Sequence, residues 1–109
     1  MDVSTLLSKR CKPYPKGSPC LQGGEINALG SAVSDWAVEG ATLIRTFSFS
    51  NYHETMAFVN AVAFIAHRED HHPDLEVSYK RCKVTFSTHS VGGLSDNDFI
   101  CAAKIDALI

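Results

Sequence analysis

The segment that most limits what this chain can fold into is "NYHETMAFVNAVAFIAHREDHHP", Asn51 to Pro73. Asn51, with Glu54 three residues on, reads as a helix cap with its reciprocal acid. Pro73 disfavours helical geometry at His72, so the helix should open at Tyr52 and finish at about Asp70 or His71. Its apolar residues occupy most of the circumference, with Met56, Val59, Ala63 and Ala66 on one side and Phe58, Val62 and Ile65 on another. A helix this apolar has to be covered on more than one flank. We therefore expect a sheet on one flank and a second copy of the chain on the other, with Val62 among the positions facing that copy.

The flanking sequence supplies the sheet. In "WAVEGATLIRTFSFS" two strands surround Glu39-Gly40, and the second alternates Leu43, Arg45, Phe47 and Phe49 with Ile44, Thr46 and Ser48. "LEVSYKRCKVTFST" gives two more, with Val77, Tyr79, Val84 and Phe86 at period-two positions, and "HSVGGL" is a loop. Ile26, Leu29 and Val33 mark a short early helix, and Ser95 with Asp98 opens a last one. The order α-β-β-α-β-β-α lacks a βαβ rhythm. It predicts an α+β fold, a four-stranded antiparallel sheet with three helices packed on one face. Residues 9–24 are rich in Pro, Gly, Lys and Ser, so residues 1–24 read as an N-terminal arm or loop and 25–109 as a single domain.

Composition removes several function classes. Ten Lys and Arg against twelve Asp and Glu give a formal charge of -2, with no basic stripe for a phosphate backbone, so direct nucleic-acid binding is not expected. The N-terminus lacks the apolar run of a signal peptide, and no segment reaches transmembrane length. The expectation is a soluble chain in the cytoplasm, with the nucleus also open. Cys11, Cys20, Cys82 and Cys101 form no CxxC pair and read as free thiols, two of them buried; a Cys11–Cys20 disulfide stays an alternative.

The polar residues that packing does not explain gather around "EDHHPDL". If the third and fourth strands form a hairpin turning at Lys80-Arg81, Tyr79 faces Cys82 and His72 falls opposite His89. His71 and Asp70 sit beside the same spot. A metal is one reading, because His67 and His71 have the i, i+4 spacing that places two imidazoles on one helical face. No Glu stands at the middle position of an HExxH pattern, and Pro73 turns His72 away, so no metal and no cofactor are expected. Acid–base chemistry needs less: imidazoles titrating near pH ~6.5 can protonate a leaving hydroxyl while removing a proton elsewhere, which is enough for a dehydration. Gly92 and Gly93 would let backbone groups after His89 approach a flat ligand.

Taken together, "HREDHHPDLEVSYKRCKVTFSTHSVGGLSDND" resembles the signature of the pterin-4a-carbinolamine dehydratases, carried by His67, His71, His72, Pro73, Tyr79, His89 and Asp98. "RTFSFSNY" and the element order extend the resemblance over roughly residues 36–106. His67 stands where an acidic residue is common in that family. The resemblance implies dehydration of 4a-hydroxytetrahydrobiopterin to quinonoid dihydrobiopterin in the recycling of tetrahydrobiopterin. It implies His72 as the principal acid–base residue, assisted by His71 and His89, and a pterin site made by Asp70, Pro73, Thr88, Ser90, Val91 and Asp98. Asp98 is read equally well as the capping partner of Ser95. A homo-oligomer, dimer or tetramer, built through the long helix is expected. The alternative implied by the same family is a non-enzymatic interaction module, such as a dimerisation cofactor of a transcription factor.

Overall fold

The computed structural model describes residues 2–109. Seven elements follow the predicted order: α2 (Gly23–Gly30), β1 (Ala37–Glu39), β2 (Thr42–Ser48), α3 (Tyr52–Glu69), β3 (Asp74–Val77), β4 (Arg81–Phe86) and α4 (Asp96–Asp106). They are preceded by a short α1 (Val3–Ser8). The sheet is antiparallel throughout, in the order β1-β2-β4-β3. Leu43 pairs with Phe86, Arg45 with Val84 and Phe47 with Cys82, so one face carries the apolar rows that the alternation predicts. The helices cover that face, and Phe86, Phe99, Leu43, Ile100 and Ile105 are its largest fully buried side chains.

Three details differ from the sequence reading. The segment read as an arm or loop begins with a six-residue helix capped by Asp2, whose side chain accepts the Thr5 amide. Leu6 of that helix is fully buried in the common core. Val3, Leu6 and Leu7 do stand at i, i+3 and i+4, but a run of six residues is too short to establish a period.

The β3–β4 hairpin turns at Tyr79-Lys80 rather than Lys80-Arg81. The Ser78 amide donates to the Arg81 carbonyl at 2.8 Å, and Val77 rather than Tyr79 faces Cys82. The offset equals two residues along one strand, so every side chain keeps its face. Continued outward, the observed register sets His72 opposite Ser87, with His89 two residues further along.

The long helix buries only one stripe, Thr55, Phe58, Val62, Ala66 and Glu69. Val62 is therefore a core residue of this chain and does not face outward, while Phe64, on the other side, is 66% exposed. The wide apolar circumference reflects several alanines, which are small enough to tolerate either environment. Among the described residues, no helix is long and apolar enough to cross a membrane.

Candidate active site

The end of α3 builds the site. Its start follows from Asn51, whose Oδ1 accepts the Glu54 amide at 2.9 Å while the Glu54 carboxylate accepts the Ser50 amide. Its finish is sharper. Asp70 adopts the left-handed conformation, φ 52° and ψ 43°, and the His71 amide reaches back to the Ala66 carbonyl at 3.1 Å. That is a helix-terminating turn usually given to glycine. Pro73 then prevents any further helix. This reversal points His71 into the body of the protein while His67, still on the helix, stays exposed. The i, i+4 pairing of His67 with His71 is thereby broken, because the spacing holds only while both residues are helical.

His71 is fixed on two sides. Its ring lies parallel to Phe86, 5.6 Å between centroids and 7° apart in plane. Its Nε2–H donates to Asp98 Oδ1 at 2.6 Å. Asp98 is wholly buried at the first turn of α4, and its other oxygen accepts the Thr88 hydroxyl at 2.8 Å and the Ser95 amide at 3.0 Å. The Thr88 hydroxyl also lies 2.8 Å from the Ser95 hydroxyl. The capping carboxylate and the histidine partner are one group. A charge-assisted bond of this kind leaves Nδ1 as the ring nitrogen open to a ligand.

A cavity of about 490 Å³ opens beside this pair, lined in part by Asp70, His71, His72, Thr88, His89 and Ser90. The structure thus brings together all three candidate histidines. Asp70, Thr88 and Ser90 of the expected binding set also line the cavity. Asp98 lies behind His71 and does not line it; Pro73 shapes the turn, and Val91 is buried away from the cavity. Gly92 and Gly93 do not line this cavity but a smaller one of about 280 Å³ on the other side of Ser87, Thr88 and His89. Gly92, at φ 66°, closes the turn after His89–Val91, and a Cβ on Gly93 would come within 3.2 Å of Cys20 Cβ.

One wall was not foreseen. Cys11, Lys12, Pro13 and Tyr14 cross the cavity mouth and complete it, together with Glu69, Ser87 and Asn97. The segment is pinned along its length. The Lys12 amide donates to Asn97 Oδ1 at 3.1 Å, and Asn97 Nδ2 donates to the Lys12 carbonyl at 2.7 Å. The Tyr14 hydroxyl donates to Asp96, and burial together with that carboxylate raises its pKa, so it stays protonated. The Gly17 amide donates to the Ser90 carbonyl at 2.8 Å. Glu69, nearly inaccessible, accepts the Cys11 amide at 2.8 Å and pairs with Arg10 at 3.0 Å and Lys104 at 3.4 Å. Burial pushes its carboxyl up, but the amide and the two cations outweigh burial and hold it below its ordinary value. "CKPYP" has no periodicity, and its role comes only from these long-range bonds.

Fold and cavity together define a small α+β protein with an imidazole–carboxylate pocket suited to proton transfer. A sequence profile of the pterin 4 alpha carbinolamine dehydratase family matches residues 19–108, and the chain belongs to that family. A protein of Nitrosospira multiformis, provisionally named pterin-4-alpha-carbinolamine dehydratase, is 54% identical over 97% of this chain and 94% of its own length. One of Chromobacterium violaceum with the same name is also 54% identical, over 94% of each chain. Among solved structures, a transcriptional coactivator/pterin dehydratase from Brucella melitensis superposes with a TM-score of 0.79 at 30% identity, covering 82% of this chain and 97% of that one. A pterin dehydratase-like protein described as a RuBisCO assembly factor in the alpha-carboxysome gives 0.60 at 26% identity, covering 68% and 88%.

Proposed function

We propose that this chain dehydrates 4a-hydroxytetrahydrobiopterin to quinonoid dihydrobiopterin and so serves tetrahydrobiopterin recycling, by histidine acid–base catalysis. The observation that carries the proposal is the Asp98-held His71 in one cavity with His72 and His89. The reaction needs one proton delivered to the departing 4a-hydroxyl and one removed from the ring nitrogen beside it. The C–O bond breaks, a C=N bond forms and water leaves.

His72 is the principal proton-transfer group in this proposal; it is exposed and lines the cavity, so it can meet both sites. His71, oriented by Asp98 and Phe86, and His89 on the opposite side position the pterin and share the charge. The Asp70 carboxylate, also exposed at the cavity, and the segment from Thr88 to Ser90 bind its polar edge. Stopped-flow decay of 4a-hydroxytetrahydropterin with purified protein tests the proposal. We expect faster decay than in buffer, and no acceleration would defeat it.

The coactivator and assembly-factor roles in the names of the two structural relatives support a second reading, an interaction module. Protein partners captured by a chain whose His71, His72 and His89 are all replaced by alanine would support it. Self-association through the outward side of α3 belongs to the first proposal and is supported by exposed Phe64 and by an apolar groove that includes Ala57, Ala61, Leu108 and Ile109. A cytoplasmic location is part of the same proposal.

A further inference from the structure

The N-terminal wall and the last helix each bring a sulfur to one point. Cys11 Sγ lies 3.5 Å from Cys101 Sγ and 3.6 Å from the Asn97 carbonyl oxygen, one helical turn before Cys101. The two thiols differ in setting. Cys11 is half-buried and lines the cavity, whereas Cys101 is wholly buried in α4. The other two cysteines lie elsewhere: Cys20 packs on Gly93, and Cys82 sits in the sheet opposite Phe47 and Val77. The backbones that carry Cys11 and Cys101 are already held together by the paired Lys12–Asn97 amide bonds and by Glu69, which reaches both the Cys11 amide and Lys104.

We propose that Cys11 and Cys101 form a reversible disulfide, a modification site that fastens the N-terminal wall of the cavity covalently to α4. The co-reactant is a hydroperoxide, which reaches Cys11 through the cavity. The Cys11 thiolate attacks one peroxide oxygen; an S–O bond forms, the O–O bond breaks, and the alkoxide or hydroxide leaves and takes up a proton. Cys101 sulfur then attacks Cys11 sulfur. The S–S bond forms, the S–O bond breaks, and the departing hydroxide takes the Cys101 proton as water. Two thiols are oxidised by two electrons, and one hydroperoxide becomes an alcohol and water.

The order of events follows from the environment. The hydrogen bond with Cys11, together with burial, holds the Cys101 thiol well above its ordinary pKa, so Cys11 is the initial nucleophile and Cys101 the resolving group. Closing the pair shortens the sulfur separation to about 2 Å, which draws the cavity wall towards α4. The inference is independent of the dehydratase proposal, because it concerns thiols and not turnover.

The test is to treat the reduced full-length chain with stoichiometric tert-butyl hydroperoxide, titrate thiols and map peptides without reduction. We expect two of the four thiols to disappear, a cross-linked peptide joining Cys11 to Cys101, a higher Tm, and return of both thiols with dithiothreitol. Cys11→Ser should keep its three remaining thiols reduced, while Cys20→Ser should pair as the wild type does. A Cys11–Cys20 bridge, disulfide-linked dimers, or Cys11 carried to the sulfinic acid with Cys101 still free would each overturn the proposal.

Discussion

Asp70 occupies a backbone conformation that most chains reserve for glycine, and it lines the cavity. A left-handed non-glycine residue costs about 1–2 kcal/mol, less for Asp and Asn, so its retention asks for a use. Asp70→Gly therefore separates stability from binding. The variant should melt no lower than wild type while KM for the pterin rises; a lower Tm with unchanged KM would assign the carboxylate a structural role. Asp98 presents the opposite case, since one carboxylate caps α4, accepts Thr88 and holds His71. Because His71, which Asp98 holds, positions the pterin and shares the charge in the proposed reaction, Asp98→Asn should raise KM as well as lower kcat. If His72 is the proton-transfer group as proposed, His72→Ala should lower kcat with little change in KM, because it would remove an interaction made only in the transition state. The three histidines were legible as a cluster from "EDHHP" and the later His89. The joint duty of Asp98 was not, because capping and charge pairing leave the same residue at the same place in a sequence.

At the scale of elements, caps and alternation located α3, α4 and the sheet, since those signals are local. What depended on distant partners was less visible. The hairpin turn moved by one position because "SYKR" has no Asn-Gly to specify it, yet the period of two preserved the faces of the strands, and His72 and His89 still line one cavity. The apolar girth of α3 left open which stripe faces inward, and the structure assigns Val62 to the core. Val62→Glu should consequently unfold the monomer, seen as loss of the cooperative thermal transition. Phe64→Glu, on the exposed side, should leave the fold intact and lower the mass found by sedimentation. A wild-type chain that is monomeric at micromolar concentration would remove this surface from consideration as an interface. α1 was missed because six residues are too few to show a period, but its Leu6 is fully enclosed. Leu6→Ala should cost about 2–5 kcal/mol in chemical denaturation, as truncation of a buried leucine does elsewhere. A change within error would mean that α1 is only loosely docked.

Across the whole molecule, Glu69 is the point where the N-terminal wall, the end of α3 and the body of α4 meet. Its carboxylate holds Arg10 and the Cys11 amide from the first, and Lys104 from the last, at a position closed to solvent. Because its folded pKa lies below the ordinary 4.5, the unfolded chain binds a proton more readily than the folded one. The stabilisation is complete above about pH 4.5 and is lost as pH falls through the lower folded pKa. Glu69→Gln removes that dependence at its source. The variant should melt below wild type at pH 7, and the gap between the two Tm curves should narrow as pH is lowered past 4.5. The same ion pairs hold the cavity wall, so trypsin should cut after Lys9 and Arg10 faster in the variant at neutral pH. In the wild type, an acid-stable protease such as pepsin should find the N-terminal segment more open as the pH drops. Tm curves that stay parallel throughout would show that Glu69 is held by packing alone, and the wall would then have to be anchored by Asn97 and Asp96 instead.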